Sequence, residues 1–429
     1  MNQLLTLLRT GQRPERWTPQ FELRMLWGLF IGAHIAFGAL SALHNHMPYA
    51  DVTVVYRGWL DDALAGNAPG ITQPFVYPVA ALLPMWVAHL LGGSEFFVIG
   101  WMVEVFALNA LALWWLITRR GRFTELYRRA AWWWTVFLWL LGPIALGRID
   151  AITVPIAMVA LLRLRRSVAT SSFWLTIGAW MKVWPAALVA AVFTTTKARL
   201  RVIAGGIVAC LLVLLPVAAV AGVPGVQNAL SFVTGQNERG LQLESVASSV
   251  FLLGHSLGIG GYEVRYSTEI LTQEILGPGV DAVGALLTPM MFVLLIGLIL
   301  VTAIRIHRGA TMARMLPALS LSIVLSFIIA NKVGSPQFIA WLAAIIVLGL
   351  VWNGREFARI ARLGLIVAGL TQWIYPWAYG WVVHAELFGA VLLFARNALL
   401  VWMLVLSVRM LLTSRTHTAS STLASKQEA

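Results

Sequence analysis

Acidic and basic side chains stand at the ends of apolar segments in this chain, where they could accept a proton or bind an anion. Asp51 follows the first long apolar run, and Lys332 lies in a short polar stretch between two later runs. Ionisable groups beside apolar helices are costly in a membrane, and those that are present usually have a function. A carboxylate at the edge of a cavity can take a proton from a hydroxyl group, and a lysine or arginine can bind a phosphate. The pattern therefore predicts a site for a charged lipid at one face of a membrane.

Asp51 begins a segment whose aromatic and apolar residues recur at helical spacing as far as Asp61 and Asp62. This spacing predicts an amphipathic helix that lies on the membrane surface. An aspartate is favoured at the start of a helix, where its side chain caps free backbone N–H groups. Asp51 is therefore either a general base or a helix cap.

Two basic residues occur where the apolar pattern is interrupted. Arg148 lies in Gly147-Arg148-Ile149-Asp150, at a helix junction, where a local ion pair with Asp150 is the simplest interpretation. Lys182 lies inside an apolar segment that Pro185 interrupts, and its long side chain could simply extend to the membrane surface. Either cation could also bind a phosphate.

A polar stretch at 234–245 contains Arg239, Gln242 and Glu244 and precedes another apolar piece. It is either an ordinary solvated loop or a binding segment. For a bound phosphate we rank Lys332 first, followed by Arg239, Arg148 and Lys182. The first two lie on polar loops rather than beside a ready ion-pair partner, and both residue types bind phosphate well.

Other ionisable residues predict structure rather than chemistry. Glu104 and Arg396 lie within apolar runs, and a buried ion pair between them is the preferred interpretation. His44 and His46 have no third ligand at metal-site spacing, so neither a metal nor another cofactor is predicted. The sequence has no glycine-rich phosphate loop and no Ser/His/Asp arrangement. The missing phosphate loop excludes a nucleotide-hydrolysing domain within this chain.

Membrane-spanning helices are the elements that must position these residues. The 429-residue sequence is 59% hydrophobic, and several apolar runs reach the ~20 residues needed to cross a bilayer core. These runs include 25–43, 97–117, 202–222, 283–304 and 387–408. We predict an all-α polytopic membrane protein with roughly 10–13 transmembrane or partly inserted helices, ten of them full crossings.

The net charge of +13 is explained by membrane topology, and no nucleic-acid partner is predicted. Seven clusters contain 24 of the 31 lysines and arginines, and the positive-inside rule places such clusters in the cytoplasm. Both termini are then cytoplasmic, and the loops at 44–74 and 223–281 lie outside. We predict one membrane domain over 1–414 and a disordered cytoplasmic tail over 415–429.

Two apolar segments do not fit this alternation as full crossings. The segment 75–91 predicts an interfacial or re-entrant helix that begins after Tyr77-Pro78. The segment 173–196 has basic clusters on both sides and is interrupted at Lys182-Val183-Trp184-Pro185. A broken helix that enters the membrane and returns fits this pattern, because proline removes a backbone donor.

Six motifs, in order over about two-thirds of the chain, resemble the GT-C glycosyltransferases that use polyprenyl-phosphate sugars, most closely glycosyltransferase family 87. That family builds lipoglycans of actinobacterial envelopes. The matching positions are Asp51 with Tyr56, Phe75-Val76-Tyr77-Pro78, Gly147-Arg148-Ile149-Asp150, Gly178 to Pro185 around Lys182, Arg239 to Ser245 with Gln242 and Glu244, and Asn331-Lys332 with Ser335-Pro336-Gln337 and Trp341. Arg148 and Asp150 depart from the family, which commonly has Gln and Asn there.

The resemblance implies a GT-C-like fold and an inverting transfer of a sugar, with mannose expected, to an envelope glycolipid or glycan at the outer face of the plasma membrane. It implies that Asp51 is the base and that the basic residues bind the donor phosphate. It further implies that Tyr56, Tyr77, Gln242, Glu244 and Gln337 contact substrate. Loss of a phosphate needs no general acid, since basic side chains can stabilise the departing charge.

Two other functions fit the same residues. An enzyme of the same fold could transfer arabinofuranose instead of mannose. A transporter or lipid flippase could use the same charges, but it would favour internal repeats and charges in the middle of spans. The unusual polar residues here gather on one predicted side, which favours the enzyme. A non-catalytic assembly subunit is the remaining alternative.

Overall fold

The computed structural model describes residues 2–43, 47–118, 124–233, 240–268 and 272–413, and these are almost entirely helical. The helices are α1 (Asn2–Thr10), α2 (Pro19–Leu43), α3 (Arg57–Leu64), α4 (Leu82–Gly92), α5 (Phe97–Thr118), α6 (Glu125–Leu141), α7 (Asp150–Arg163), α8 (Val168–Met181), α9 (Pro185–Thr195), α10 (Arg199–Leu230), α11 (Ser248–Ser256), α12 (Val280–His307), α13 (Met312–Ile329), α14 (Trp341–Asn353), α15 (Ala358–Gln372), α16 (Tyr379–Val383) and α17 (Leu387–Thr413). Two strands, β1 (Glu263–Ser267) and β2 (Thr272–Leu276), form an antiparallel hairpin in which Glu263 faces Leu276. The prediction of an all-α chain is confirmed apart from this hairpin.

Seven helices in the described part of the chain are long and apolar enough to cross a membrane, which confirms a polytopic membrane protein. They are α2, α5, α10, α12, α13, α14 with its preceding turn, and α17. Ten crossings would also require α6, α7 and α15, which have 17, 14 and 15 residues. These are shorter than the ~20 residues of a typical span, so the number of crossings stays a prediction.

The predicted break in the segment 173–196 is present. Ser167 caps the start of helix α8, because its side chain accepts a hydrogen bond from the Thr170 N–H. The helix ends before Lys182, which adopts an extended conformation. Helix α9 begins at Pro185 and has only 11 residues. The two helices pack against each other. A short proline-led helix that follows an extended residue places Lys182 at the tip of a helical hairpin.

The segment 75–91 also contains a helix too short to cross a membrane. Helix α4 has 11 residues and packs along α5. Gly100 permits this approach, because a Cβ there would lie 2.0 Å from the carbonyl oxygen of Ala88. The tight packing brings the chain that precedes α4, including Tyr77, towards the same end of the helical bundle as Trp59, whose ring centroid lies 5.2 Å from that of Tyr77.

The predicted surface helix after α2 is present in two parts, a π-helical turn at Asp51–Tyr56 followed by α3. Asp51 lies in the first turn, but no capping hydrogen bond involves its side chain in the described residues. The helix-cap interpretation of Asp51 is therefore wrong.

The core lies between α6, α7, α13 and α14, whose side chains are buried on nearly every face. This explains why α14 is apolar throughout rather than along one stripe. Three consecutive tryptophans, Trp132, Trp133 and Trp134, are fully buried on α6. The indole N–H of Trp133 donates to the carbonyl of Ala361 at 2.8 Å, which supplies the partner that a buried indole needs.

Candidate active site

Asp51 forms an ion pair with Arg148, which lies just before α7. The Arg148 Nε atom is 3.1 Å from Asp51 Oδ2, and the two side chains are 8% and 29% exposed. The Arg148 Nη1 atom donates to the carbonyl oxygens of Pro48 at 2.7 Å and Gly147 at 2.9 Å. The predicted local pair between Arg148 and Asp150 is therefore wrong, because Asp51 is the carboxylate that Arg148 contacts.

This arrangement keeps Arg148 charged. Burial acts to lower the pKa of its guanidinium, but the Asp51 carboxylate acts against burial, and the pKa is raised overall. Nε faces the Asp51 carboxylate and Nη1 donates to two backbone carbonyls, so protein oxygens fix the orientation of the guanidinium. These contacts allow Arg148 to hold the Asp51 carboxylate in a fixed orientation.

Asp150 lies at the start of α7 and is only 1% exposed. Its carboxylate accepts a hydrogen bond from the indole N–H of Trp341, at the start of α14. The Trp341 ring stacks on that of Trp184, with 5.7 Å between centroids and 10° between planes. The Trp184 indole donates to Thr153 Oγ1 at 3.0 Å. Asp150 is therefore enclosed by α7, α9 and α14, and a hydroxyl acceptor has much less access to it than to Asp51.

Lys182 lies at the tip of the α8–α9 hairpin and is partly exposed. Its Nζ atom is 3.9 Å from the centre of the Tyr77 ring, an ordinary cation–π distance. Within the described ranges, no carboxylate oxygen lies within 4.0 Å of it. An ammonium group has three donors, and a side-chain hydrogen bond with Tyr77 uses one of them. The charges of Asp150 and Asp51 also act on Lys182. The predicted phosphate-binding roles of Lys182 and Arg148 stay predictions.

Tyr56 lies on the π-helical turn and is fully buried. Its hydroxyl accepts a hydrogen bond from the backbone N–H of Ile149 at 3.1 Å. The bond joins the surface helix directly to the segment that contains Arg148. Tyr56 is therefore placed to position Asp51, while Tyr77 packs beside Lys182.

Glu244 belongs to a second buried polar group, with Tyr379 and Arg396. The Tyr379 hydroxyl donates to Glu244 Oε1 at 2.7 Å, and Arg396 Nη2 donates to the Glu244 backbone carbonyl at 3.1 Å. Burial raises the pKa of the Glu244 carboxyl, although the Tyr379 hydrogen bond acts against it. The predicted ion pair of Arg396 with Glu104 is wrong, since Arg396 lies beside Glu244 instead.

Gln242 connects this second group to the segment of Lys332. The Gln242 backbone N–H donates to the Lys332 carbonyl at 3.0 Å, and the Gln242 side-chain oxygen accepts from the Gly334 N–H at 3.0 Å. Gln337 is buried in the turn before α14. Lys332 itself is half-buried, and none of the described contacts joins its side chain to Asp51 or Lys182.

Arg239, His44 and His46 lie outside the described residues, as does the predicted tail at 415–429. In the ranges that are described, no cluster of three metal-ligating side chains occurs. The predicted roles of Lys332, Arg239, Gln242, Glu244 and Gln337 in substrate binding stay predictions.

Tyr375 is a site residue that sequence reasoning missed. It lies in the irregular turn at Trp373–Trp377 and forms a side-chain hydrogen bond with Arg148. Its ring meets that of Tyr379 edge to face, with 5.5 Å between centroids. With Glu244 and Arg396, the two tyrosines line a cavity of about 10 Å³, which is enough for one water molecule. Tyr375 therefore connects the Asp51–Arg148 pair to the Glu244 group.

Replacement of Tyr375 by phenylalanine should keep the ring contact and remove the hydrogen bond to Arg148. We expect a loss of roughly 10- to 150-fold in the rate of any reaction that depends on Asp51, since one hydrogen bond to a charged group contributes about 1.5–3 kcal/mol. Steady-state kinetics of Tyr375→Phe beside Tyr266→Phe, an exposed tyrosine on β1, measures this. Equal rates in both variants would show that Tyr375 does not assist Arg148.

Comparison with known proteins adds no assignment for this arrangement. No protein-family model matches the chain, and no curated protein sequence matches it.

Proposed function

We propose that this chain is an integral membrane glycosyltransferase that moves a sugar, with mannose expected, from a polyprenyl-phosphate donor to a glycolipid or glycan of the cell envelope. One observation carries the proposal. Asp51 is partly exposed and held by Arg148, and the nearby Lys182 has donors that no protein carboxylate occupies. A base and a cation near the departing phosphate are the two groups that an inverting transfer from a phosphate requires.

In the proposed reaction, Asp51 takes the proton of an acceptor hydroxyl as its oxygen attacks the anomeric carbon of the sugar. The bond from that carbon to the phosphate oxygen breaks, and the phosphate leaves with the electron pair. Lys182 stabilises the negative charge that develops on the phosphate. One displacement inverts the anomeric centre, and no second carboxylate is needed as a nucleophile.

The fold proposed here is GT-C-like, on the basis of the six ordered motifs. Five of these motifs contribute side chains to one end of the helical bundle, through Asp51, Tyr77, Arg148 with Asp150, Lys182 and Trp341. In the proposed topology this end faces outward and both termini are cytoplasmic, as the distribution of basic residues predicts.

Cysteine labelling tests this topology. In a Cys210→Ala background, a cysteine in place of Asn67, which is exposed in the first loop, should react with a membrane-impermeant maleimide in intact cells. A cysteine in place of Lys197, exposed between α9 and α10, should react only after the membrane is opened. The reverse pattern would rule out an outward-facing site.

Transfer itself is tested with the purified chain in lipid vesicles that contain a polyprenyl-phosphate mannose with a radioactive sugar. The expected result is label in an envelope lipid or glycan extract added as acceptor, with the anomeric configuration inverted. Mass spectrometry of lipoglycans from cells with and without the chain identifies the product. If a polyprenyl-phosphate arabinofuranose is used as a donor and the mannose donor is not, the transferred sugar is arabinofuranose rather than mannose. Movement of the lipid across the bilayer without a new glycosidic bond would identify a flippase.

A further inference from the structure

Two buried polar atoms of opposite character belong to residues that line the small cavity between Glu244 and Arg396. Glu244 Oε2 and Arg396 Nε form no hydrogen bond with any described residue, although the two residues are only 9% and 3% exposed. Proteins pair almost all buried polar atoms, either with protein groups or with ordered water. The cavity has a volume of about 10 Å³, which is enough for one water molecule. A bound water is therefore the partner that fits these two atoms.

Tyr375 lines the same cavity and supplies a third group for this water. A guanidinium can only donate, so the Tyr375 hydroxyl accepts the hydrogen bond that joins it to Arg148. The hydroxyl then donates its own proton to a different acceptor. A water in the cavity can accept from Tyr375 and from Arg396 Nε, and it can donate to Glu244 Oε2. Three hydrogen bonds are about the usual number for a buried water.

Other hydrogen bonds hold the walls of the cavity in place. The Tyr379 hydroxyl donates to Glu244 Oε1 at 2.7 Å, which leaves Oε2 as the oxygen for the water. Arg396 Nη2 donates to the Glu244 backbone carbonyl at 3.1 Å, and the next residue, Asn397, donates to the Ser245 carbonyl at 3.1 Å. Two consecutive side chains of α17 thus hold the backbone on which Glu244 lies.

We infer that a water molecule bound by Glu244 and Arg396 joins them to Tyr375, and that this chain of hydrogen bonds fixes the Arg148 guanidinium and, through it, the Asp51 carboxylate. Glu244 is then a positioning residue for the candidate base, in place of the substrate contact that the resemblance implies for it. The effect on sugar transfer rests on the proposed function, whereas the water site itself requires no activity.

Glu244→Gln tests this role with almost no change in shape. Tyr379 holds the remaining side-chain oxygen, so the new NH₂ group faces the cavity and donates where Oε2 accepted. The water would then meet three donors and could no longer accept from both Arg396 and Tyr375. We expect kcat to fall about tenfold, as for loss of one hydrogen bond in a network that holds a charged group.

The KM values for donor and acceptor should stay at the wild-type level in Glu244→Gln, because a positioning residue touches neither substrate. The matched control is Glu263→Gln, which changes an exposed glutamate on β1 and should leave both kcat and KM unchanged. A raised KM with an unchanged kcat in Glu244→Gln would show that Glu244 contacts substrate and would overturn the inference.

The double variant Glu244→Gln/Tyr375→Phe tests whether the two residues act through the same water. If they do, the double variant should be about as slow as Tyr375→Phe alone, because the second change removes a connection that is already broken. If the two losses multiply instead, the residues act independently and the inference is wrong.

Cryo-EM maps that show ordered water, recorded for the protein in lipid nanodiscs, test the site without turnover. The wild type should show a water within hydrogen-bond distance of Glu244 Oε2, Arg396 Nε and the Tyr375 hydroxyl. Glu244→Gln should lose this water, and its Arg148 Nε should lie farther from Asp51 Oδ2 than the 3.1 Å of the wild type. A direct side-chain contact between Glu244 and Arg396 with no water between them, or an unmoved Arg148 in the variant, would overturn the inference.

The two kinds of measurement separate this inference from the proposed function. Normal sugar transfer by a wild-type chain that has no water at this position would overturn the inference and leave the glycosyltransferase intact. A bound water with a displaced Arg148 in Glu244→Gln, in a chain that transfers no sugar, would confirm the hydrogen-bond chain and overturn the proposed function.

Discussion

Asp51→Asn should lower the rate of sugar transfer by roughly 10²-fold or more, the range expected for loss of a positioned general base. An asparagine has nearly the same shape but cannot accept the acceptor proton. Donor binding should change little, because the phosphate is assigned to Lys182. Single-turnover transfer and a separate donor-binding measurement on the purified variant give the two quantities.

Asp62→Asn is the matched control for this variant. Asp62 lies on α3 after the same surface segment and is exposed. The Asp62→Asn variant should transfer sugar at the wild-type rate. If Asp51→Asn also transfers at that rate, Asp51 is not the base, and Asp61 or Asp150 becomes the candidate.

Lys182→Met should reduce turnover by about 10²-fold, comparable to removal of one donor that stabilises developing charge. Methionine keeps much of the length and the apolar packing against Tyr77 but has no charge. Donor affinity should fall together with turnover, since the ammonium group contacts the phosphate in both the bound and the transition state. Lys182→Arg, which retains the charge, should recover part of the loss.

Lys332→Ala tests whether Lys332 or Lys182 is the main ligand of the donor phosphate. The sequence places Lys332 first among the phosphate ligands, whereas the structure gives Lys182 the position beside Tyr77 and near the Asp51–Arg148 pair. If Lys182→Met keeps the wild-type donor affinity and Lys332→Ala loses most of it, Lys332 is the main phosphate ligand. The phosphate would then bind beside the Gln242 segment.

The membrane-spanning helices and the break at Lys182 could be predicted from the sequence because their causes are local. Length and continuous apolar character define α5 or α12, and a proline after a polar residue defines the end of a helix. The helix from Asp51 onward could likewise be predicted, because its aromatic and apolar residues recur at helical spacing.

The partners of the buried charges could not be predicted, because they come from distant parts of the chain. Arg148 has an acidic neighbour at 150 but contacts Asp51, and Arg396 lies beside Glu244 rather than Glu104. Ion-pair partners depend on how helices pack, and a single sequence has no signal for that packing. Tyr375 had no signal either, since an aromatic residue in the apolar stretch Trp373–Trp377 is typical of ordinary membrane-interface packing.

The pairing of Asp51 with Arg148 has a consequence for how the protein is made. Arg148 also holds the Pro48 carbonyl, 100 residues earlier in the chain. During synthesis from the N-terminus, α2 and the surface helix therefore emerge and enter the membrane before their arginine exists. A nascent chain that ends after α5 lacks the arginine that pairs with Asp51 in the folded protein. The ion pair therefore fixes the position of the first loop only after the later segment has been made.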